Sequence, residues 1–139
     1  MDDKNFSIEQ IPPAATLMIR QAELYPKLLL KKLQLDEDED GIHLGLFHDN
    51  KLITVVSLFQ KGTDLQFRKF ATISAYQKMG FGKEMLKYVF DFAAQLNCKR
   101  VWCNARISAI SFYEKFGMSR TETAFSKDNI EFVIMERFI

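Results

Sequence analysis

Residues 65 to 96 read as a strand, a glycine-bearing loop and an amphipathic helix in direct succession, and this unit constrains the fold more than any other stretch. The strand is "LQFRKFATI", the loop is "SAYQKMGFGK", and Met85, Val89, Phe92, Ala93 and Leu96 form the helical stripe. Two of the chain's six glycines, Gly80 and Gly82, stand one residue apart where the loop becomes helix. The first N–H groups of a helix have no internal partner, and the macrodipole makes that end positive. Glycine lets a ligand approach bare backbone, so the context is that of an anion site, with Lys78 and Lys83 adding charge. The alternative is a tight turn and nothing more. Both common nucleotide loops are excluded. Ala75 stands five positions before Gly80, and Glu84 rather than Ser or Thr follows Lys83, which removes a Walker A loop. Met85 occupies the third-glycine position of a dinucleotide fingerprint, and the stretch around Arg100 lacks the acidic ribose partner.

The elements around this unit suggest a mixed α/β domain. "NFSIEQI" reads as a short first strand. Pro12 and Pro13 open a helix with Ala14, Leu17, Met18, Gln21 and Leu24 on one stripe, and Pro26 ends it and starts a second over "KLLLKKLQL". The acidic run "DEDED" at 36–40 reads as a solvated loop, or as a lure for cationic acceptors such as polyamines. "IHLGLF" alternates, "LITVVSLF" is apolar on both faces as a central strand is, and Asp49-Asn50 turns between them. In the next strand Leu65 and Phe67 share one face, and Phe70 falls out of phase. Either a β-bulge near Arg68 and Lys69 restores the apolar face, the favoured reading, or both faces of this strand are covered. "RVWCNA" is a strand, "ISAISFYEKF" a short helix ended by Gly117, and "SRTETAF" with "IEFVIMERF" a closing hairpin.

At 139 residues the chain fits one domain, 1–139, and a formal charge of +1 argues against nucleic acid as a partner. There is no apolar run of membrane-spanning length and no signal-peptide order at the start, so a cytoplasmic protein without a membrane partner is expected. Cys98 and Cys103 read as small, partly buried thiols near a strand, with an acyl-carrying cysteine as the alternative.

Gln77, Gly80 and Gly82 make a Q-x-x-G-x-G loop that resembles the acyl-CoA loop of the GNAT superfamily of N-acetyltransferases. "FAT" at 70–72 sits where that family's fourth strand ends, and "FYEKFGM" at 112–118 resembles its "FYEKLGF" segment. The resemblance spans nearly the whole chain. It implies the GNAT acyl-CoA N-acyltransferase fold, a central, mostly antiparallel twisted sheet with helices on both faces. It also implies transfer of an acetyl group from acetyl-CoA to a small-molecule or peptide amine, without a metal. Main-chain groups of Phe70, Ala71 and Thr72 would then pair with the pantetheine arm, and the loop Gln77, Lys78, Met79, Gly80, Phe81, Gly82 and Lys83 would hold the pyrophosphate. Many members carry an asparagine seven positions before the motif tyrosine. Here Arg106 stands there, either reaching CoA or pinning the following helix through a carboxylate such as Glu114. A homodimer through the C-terminal hairpin is a further expectation of the resemblance.

The chemistry leaves three tasks. An oxyanion needs a donor, which an unpaired N–H at the bulge near Phe70 to Thr72 would supply. The leaving thiolate, of pKa about 8.5, needs a proton that a phenol of pKa about 10 can give, and Tyr113 is the expected acid. The amine needs a base. His43 and His48 have the right pKa, but a structural His43 and a solvated His48 are the blander readings, and Glu23 and Gln66 could line the acceptor side. The opposing reading of the whole chain is a CoA-binding or interaction module without catalysis. The intact loop and Tyr113 favour the enzyme.

Overall fold

The computed structural model describes residues 5–139. Seven strands form one sheet. In chain order they are β1 (Phe6–Ile11), β2 (Ile42–His48), β3 (Lys51–Lys61), β4 (Asp64–Thr72), β5 (Arg100–Arg106), β6 (Ser119–Lys127) and β7 (Ile130–Phe138). The helices are α1 (Leu17–Glu23), α2 (Phe81–Gln95) and α3 (Ile110–Glu114). The sheet runs β1-β2-β3-β4-β5-β7-β6, antiparallel everywhere except between β4 and β5. This is the mixed α/β, mostly antiparallel arrangement expected from the sequence.

Local sequence explains the tight connections. Asp49-Asn50 and Asp128-Asn129 both take positive φ at the two turn positions, 51° and 65°, 54° and 64°. Two left-handed residues give the hairpin turn whose twist matches the flanking strands, and Asp and Asn tolerate that backbone better than other side chains. Gly117, at φ 81°, turns the chain out of α3 into β6 as the sequence suggests.

The sheet is covered on both sides. Met85, Leu86, Val89 and Ala93 of α2 are fully buried against Leu44, Leu58, Leu65, Val101 and Met135. A smaller cluster of Ile11, Val55 and Ala71 receives Ile19 of α1. The expected bulge is present. Ser57 pairs with Arg68 and Val55 with Ala71, so Lys69 and Phe70 together stand opposite Val56. Lys69 takes φ 55°, and the extra residue lets Phe67 and Phe70 reach the same side, their rings 6.0 Å apart.

The segment between α1 and β2 departs from expectation. Pro13–Thr16 forms a 3-10 turn, whose tighter winding shifts the phase of α1. Thr16, Leu17, Ile19 and Arg20 are therefore inside, and Met18, expected on the buried stripe, is 74% exposed. The second helix expected over "KLLLKKLQL" is only a 3-10 turn at Leu30–Leu33. Leu33 alone of its leucines is buried, so a longer helix would gain little packing, and short helices do not persist without it.

The acidic run is also not a wholly solvated loop. Asp38 is buried and accepts two hydrogen bonds from the buried Arg20 guanidinium, at 2.8 and 3.0 Å. Arg20 also donates to the Leu33 carbonyl and to Ser57 Oγ, and Ser57 Oγ contacts His43 Nδ1 at 2.7 Å. His43 Nε2 closes the circuit on the Asp38 carbonyl. Desolvation pushes the Asp38 carboxyl up, but the Arg20 hydrogen bonds, the Leu35 N–H and the Arg20 charge outweigh it, so its pKa lies below the ordinary value. This clip ties the irregular segment to β3. No helix among the described residues is long and apolar enough to cross a membrane.

Candidate functional site

β4 and β5 pair over three positions only, Asp64, Gln66 and the residue between them against Arg100 to Trp102. Beyond these the bulge turns β4 away, and the two strands part. A cavity of about 270 Å³ occupies the gap. Phe67, Lys69 and Phe70 line it from β4, Asn104 and Arg106 from β5, and Tyr113 from α3.

The glycine loop lies where β4 runs out, and none of its residues lines the cavity. It is held from behind. Gln77 Nε2 donates to the Thr72 carbonyl at 2.9 Å and to Glu23 Oε1 at 3.3 Å, and Glu23 also accepts from the Ser74 N–H and hydroxyl. Glu23, considered for the acceptor side, is thus a staple between α1 and the loop. Lys78 and Gly80 have positive φ, 63° and 92°. No side chain among the described residues caps α2. Gly82 does not need positive φ, and a Cβ added there would meet nothing closer than 3.7 Å. Neither backbone conformation nor packing therefore requires glycine at 82; what its absence of a side chain does is leave the helix N-terminus open. Met79 is exposed, while the Phe81 ring is buried beside Phe6, His48 and Tyr76, so only Phe81 main chain can meet a ligand. Thr72 bonds Thr54 through its hydroxyl at 3.0 Å, and Ala71 packs on the α1 side.

Tyr113 is 9% exposed, packed against Phe67, Phe70 and Phe112, and its hydroxyl has no hydrogen-bond partner among the described residues. Burial pushes this phenol well above the ordinary tyrosine range; the nearby Cys103 adds to the rise and Arg106 opposes it. A group so reluctant to ionise donates a hydrogen bond more readily than it gives up a proton.

Arg106 does not pin α3 through Glu114. The Glu114 carboxylate pairs with Arg120 at 3.7 Å, and Arg106 instead donates to the Leu24 carbonyl at 3.2 Å, its guanidinium 5.4 Å from the Tyr25 ring centroid. Tyr25 was not found from the sequence. It follows α1 and precedes Pro26, outside any periodic stripe, and a proline-bounded aromatic was its only signal. Its hydroxyl accepts from Lys69 Nζ at 2.9 Å, and it lines the cavity. Burial would raise the Tyr25 phenol, but the Lys69 hydrogen bond and charge, with those of Arg106, outweigh it and hold its pKa below the ordinary value.

The two histidines are outside the cavity. His43 is the structural histidine of the Arg20–Asp38 clip, and His48 is part-buried, with Nδ1 on the Asn5 carbonyl and its ring on Phe81. Cys98 and Cys103 are free and buried, and burial pushes the Cys103 thiol up to about 12.

A family model described as Acetyltransferase (GNAT) family matches residues 7–118. The "Uncharacterized N-acetyltransferase YitI" of Bacillus subtilis (strain 168) is 29% identical over 126 residues, covering 84% of this chain and 81% of that protein. A Lactobacillus plantarum structure assigned provisionally as an N-acetyltransferase superposes with a TM-score of 0.85 at 22% identity, covering 96% of this chain and 97% of its own. A GNAT family acetyltransferase from Elizabethkingia anophelis with acetyl-CoA bound superposes with a TM-score of 0.76 at 14% identity, covering 97% and 99%. The fold is thus that of the acyl-CoA N-acyltransferases, and the chain belongs to the GNAT family of acetyltransferases.

Proposed function

We propose that residues 1–139 form one acetyltransferase domain, acting in the cytoplasm, that moves the acetyl group of acetyl-CoA to a primary amine by direct attack in a ternary complex. The observation that carries this reading is the pairing of an uncapped, glycine-lined helix N-terminus with the adjacent opening between β4 and β5. The first suits a pyrophosphate, held by main-chain N–H groups from Gln77 to Lys83 with Lys78 and Lys83 at hand. The second suits an extended amide-bearing arm along Phe70 to Thr72.

The chain's own groups then divide the work. The amine nitrogen attacks the thioester carbonyl carbon, and the carbonyl oxygen takes the charge. A main-chain N–H at Phe70 or beside it, displaced from the regular ladder by the bulge, is the donor for that oxygen. As the carbon–sulfur bond breaks, the Tyr113 hydroxyl donates to the sulfur without surrendering its proton. The proton lost by nitrogen ends on the thiol, so the products are an amide and CoA. The hydrophobic walls of Phe67 and Phe70 keep water from the thioester. No covalent enzyme intermediate is required, since the donor is already activated.

The test is thermal and kinetic. Acetyl-CoA should raise the melting temperature, because it binds the native loop and not the unfolded chain. It should also release thiol at a rate that depends on an added amine. An absent thermal shift would sink the reading. A shift with release indifferent to every amine would leave a CoA-binding module.

A further inference from the structure

We propose that the acceptor of this reaction is an amine that also carries an anionic group, in the first place a carboxylate, on a flat apolar body, with the anion received by Lys69, Arg106 and Lys127. The inference rests on the acetyl-transfer reading and names the substrate class of the same site.

The observation is the imbalance of charge around the cavity. Among the described residues four cations, Arg68, Lys69, Arg106 and Lys127, line it, and no carboxylate does. Arg68 is already neutralised by Glu37 at 3.1 Å. The other three make no ion pair among the described residues. They come from separate elements, β4, β5 and β6, so the cluster is built by the fold and not by a run of sequence. Such groups are ordinarily solvated or paired, and three of them on the lining of one hollow, without a counter-charge among the described residues, suit a ligand that brings one.

Two features sharpen this. Lys69 stands on the bulge in a left-handed backbone, so its direction is fixed by the strand irregularity that shapes the cavity. Tyr25 lies between Lys69 and Arg106, and the depression of its pKa is the mark of a positive field at that point. Apart from Asn104 and the Tyr113 hydroxyl, the rest of the wall is apolar. Phe125 and Phe132 stack with centroids 5.3 Å apart and planes 19° from parallel, a flat surface for an aromatic or large apolar body. The pyrophosphate of CoA does not account for these cations, because the loop that suits it contributes nothing to the cavity lining, and the arm proposed along Phe70 to Thr72 is uncharged. The acidic run 36–40 does not reverse the sign, since none of its residues lines the cavity and Glu37 and Asp38 are paired with Arg68 and Arg20. A polyamine or a lysine-rich peptide would meet like charge at the cavity. The same positive field lowers the pKa of an ammonium brought into it, which favours the neutral, attacking amine.

The test uses probes that cannot react. 3-Phenylpropionate, its neutral amide 3-phenylpropionamide, and 2-phenylethylphosphonate are titrated calorimetrically into the protein, alone and with saturating acetyl-CoA. The carboxylate should bind about tenfold or more tightly than the amide, as a charge-assisted contact does. Arg106→Gln, and Lys69→Asn, which keeps a residue at home in the left-handed backbone, should each reduce that preference severalfold. A phosphonate that binds more tightly than the carboxylate supports the anion site and assigns it to a phosphate-bearing amine. Equal binding of acid and amide in the wild type overturns the inference, as does absence of binding by both anions, or an undiminished preference in both variants. Failure of acetyl-CoA to bind would instead sink the acetyl-transfer reading, while the ligand-free titration still decides the charge of the pocket.

Discussion

Tyr113→Phe removes one oxygen from the cavity wall and leaves the ring contacts with Phe67, Phe70 and Phe112 in place. That oxygen has no hydrogen-bond partner to lose among the described residues, so the apo melting temperature should stay within about 2 °C of wild type, or rise. The effect should fall on turnover. A hydrogen bond to a charged group is worth about 1.5–3 kcal/mol, which converts to a loss in kcat of about ten- to 150-fold, with the KM for acetyl-CoA little changed. Because burial raises the phenol, it should also leave no basic limb in the kcat profile below about pH 10, the ordinary tyrosine value. The assay is thiol release at saturating acetyl-CoA and amine, with insensitivity to solvent viscosity showing that chemistry limits the rate. Wild-type kcat in the variant under that condition refutes the role. A fall in apo melting temperature of many degrees would show that the hydroxyl was structural after all.

Gly82→Ala should keep the apo fold, since its Cβ finds 3.7 Å of room, whereas Gly82→Glu should abolish the thermal shift by acetyl-CoA by setting a carboxylate where the pyrophosphate is proposed to lie; a shift retained in the glutamate variant removes the loop from the reading. Asp38→Asn leaves the buried Arg20 charge uncompensated and should cost about 3–5 kcal/mol, on the order of 10 °C in melting temperature. The Asp38 pKa is depressed in the fold, so the stability it contributes is present above the unfolded carboxyl value and is lost as pH falls through the folded one. Acid unfolding curves of wild type and variant should therefore converge below about pH 4, and curves that stay parallel would refute the assignment. Cys98 and Cys103 should resist a thiol reagent in the native protein and react on unfolding; rapid native labelling of Cys103 would contradict its raised pKa and reopen the acyl-carrying cysteine.

The order of elements was legible because each rests on a local signal: the Asp-Asn turns, the both-faces-apolar β3, the stripe of α2, Gly117 after α3. The bulge was legible too, since a strand's period of two makes a single extra residue visible as Phe70 out of phase. The segment from Met18 to Asp40 was not. Its apolar spacing fits a helix, yet the outcome depends on Arg20 finding Asp38, Ser57 and the Leu33 carbonyl, partners up to 37 residues away in sequence. Burial of a charge cannot be read from a local pattern. Tyr25 was missed for the same reason, since only the closing of the sheet brings Lys69 and Arg106 to it.

A sheet ordinarily has two borders, and this one has four. β1 and β6 end it on the outside, while β4 beyond Gln66 and β5 beyond Trp102 face each other across a gap too wide for them to pair. Unpaired strand margins invite other strands, and proteins generally cover or cap them. These two are sheltered by being inward, within a slot that α3 and the Tyr25 segment help to wall. The slot is thus a vacancy in a ladder, and what fits a vacancy in a ladder is another run of amides. Amide hydrogen exchange would show this directly: on adding acetyl-CoA, protection should rise at Phe70 to Thr72 and at Asn104 to Arg106 together, while β1 and β6 exchange as before. The co-substrate would then serve, besides its chemistry, as an eighth strand that is never translated.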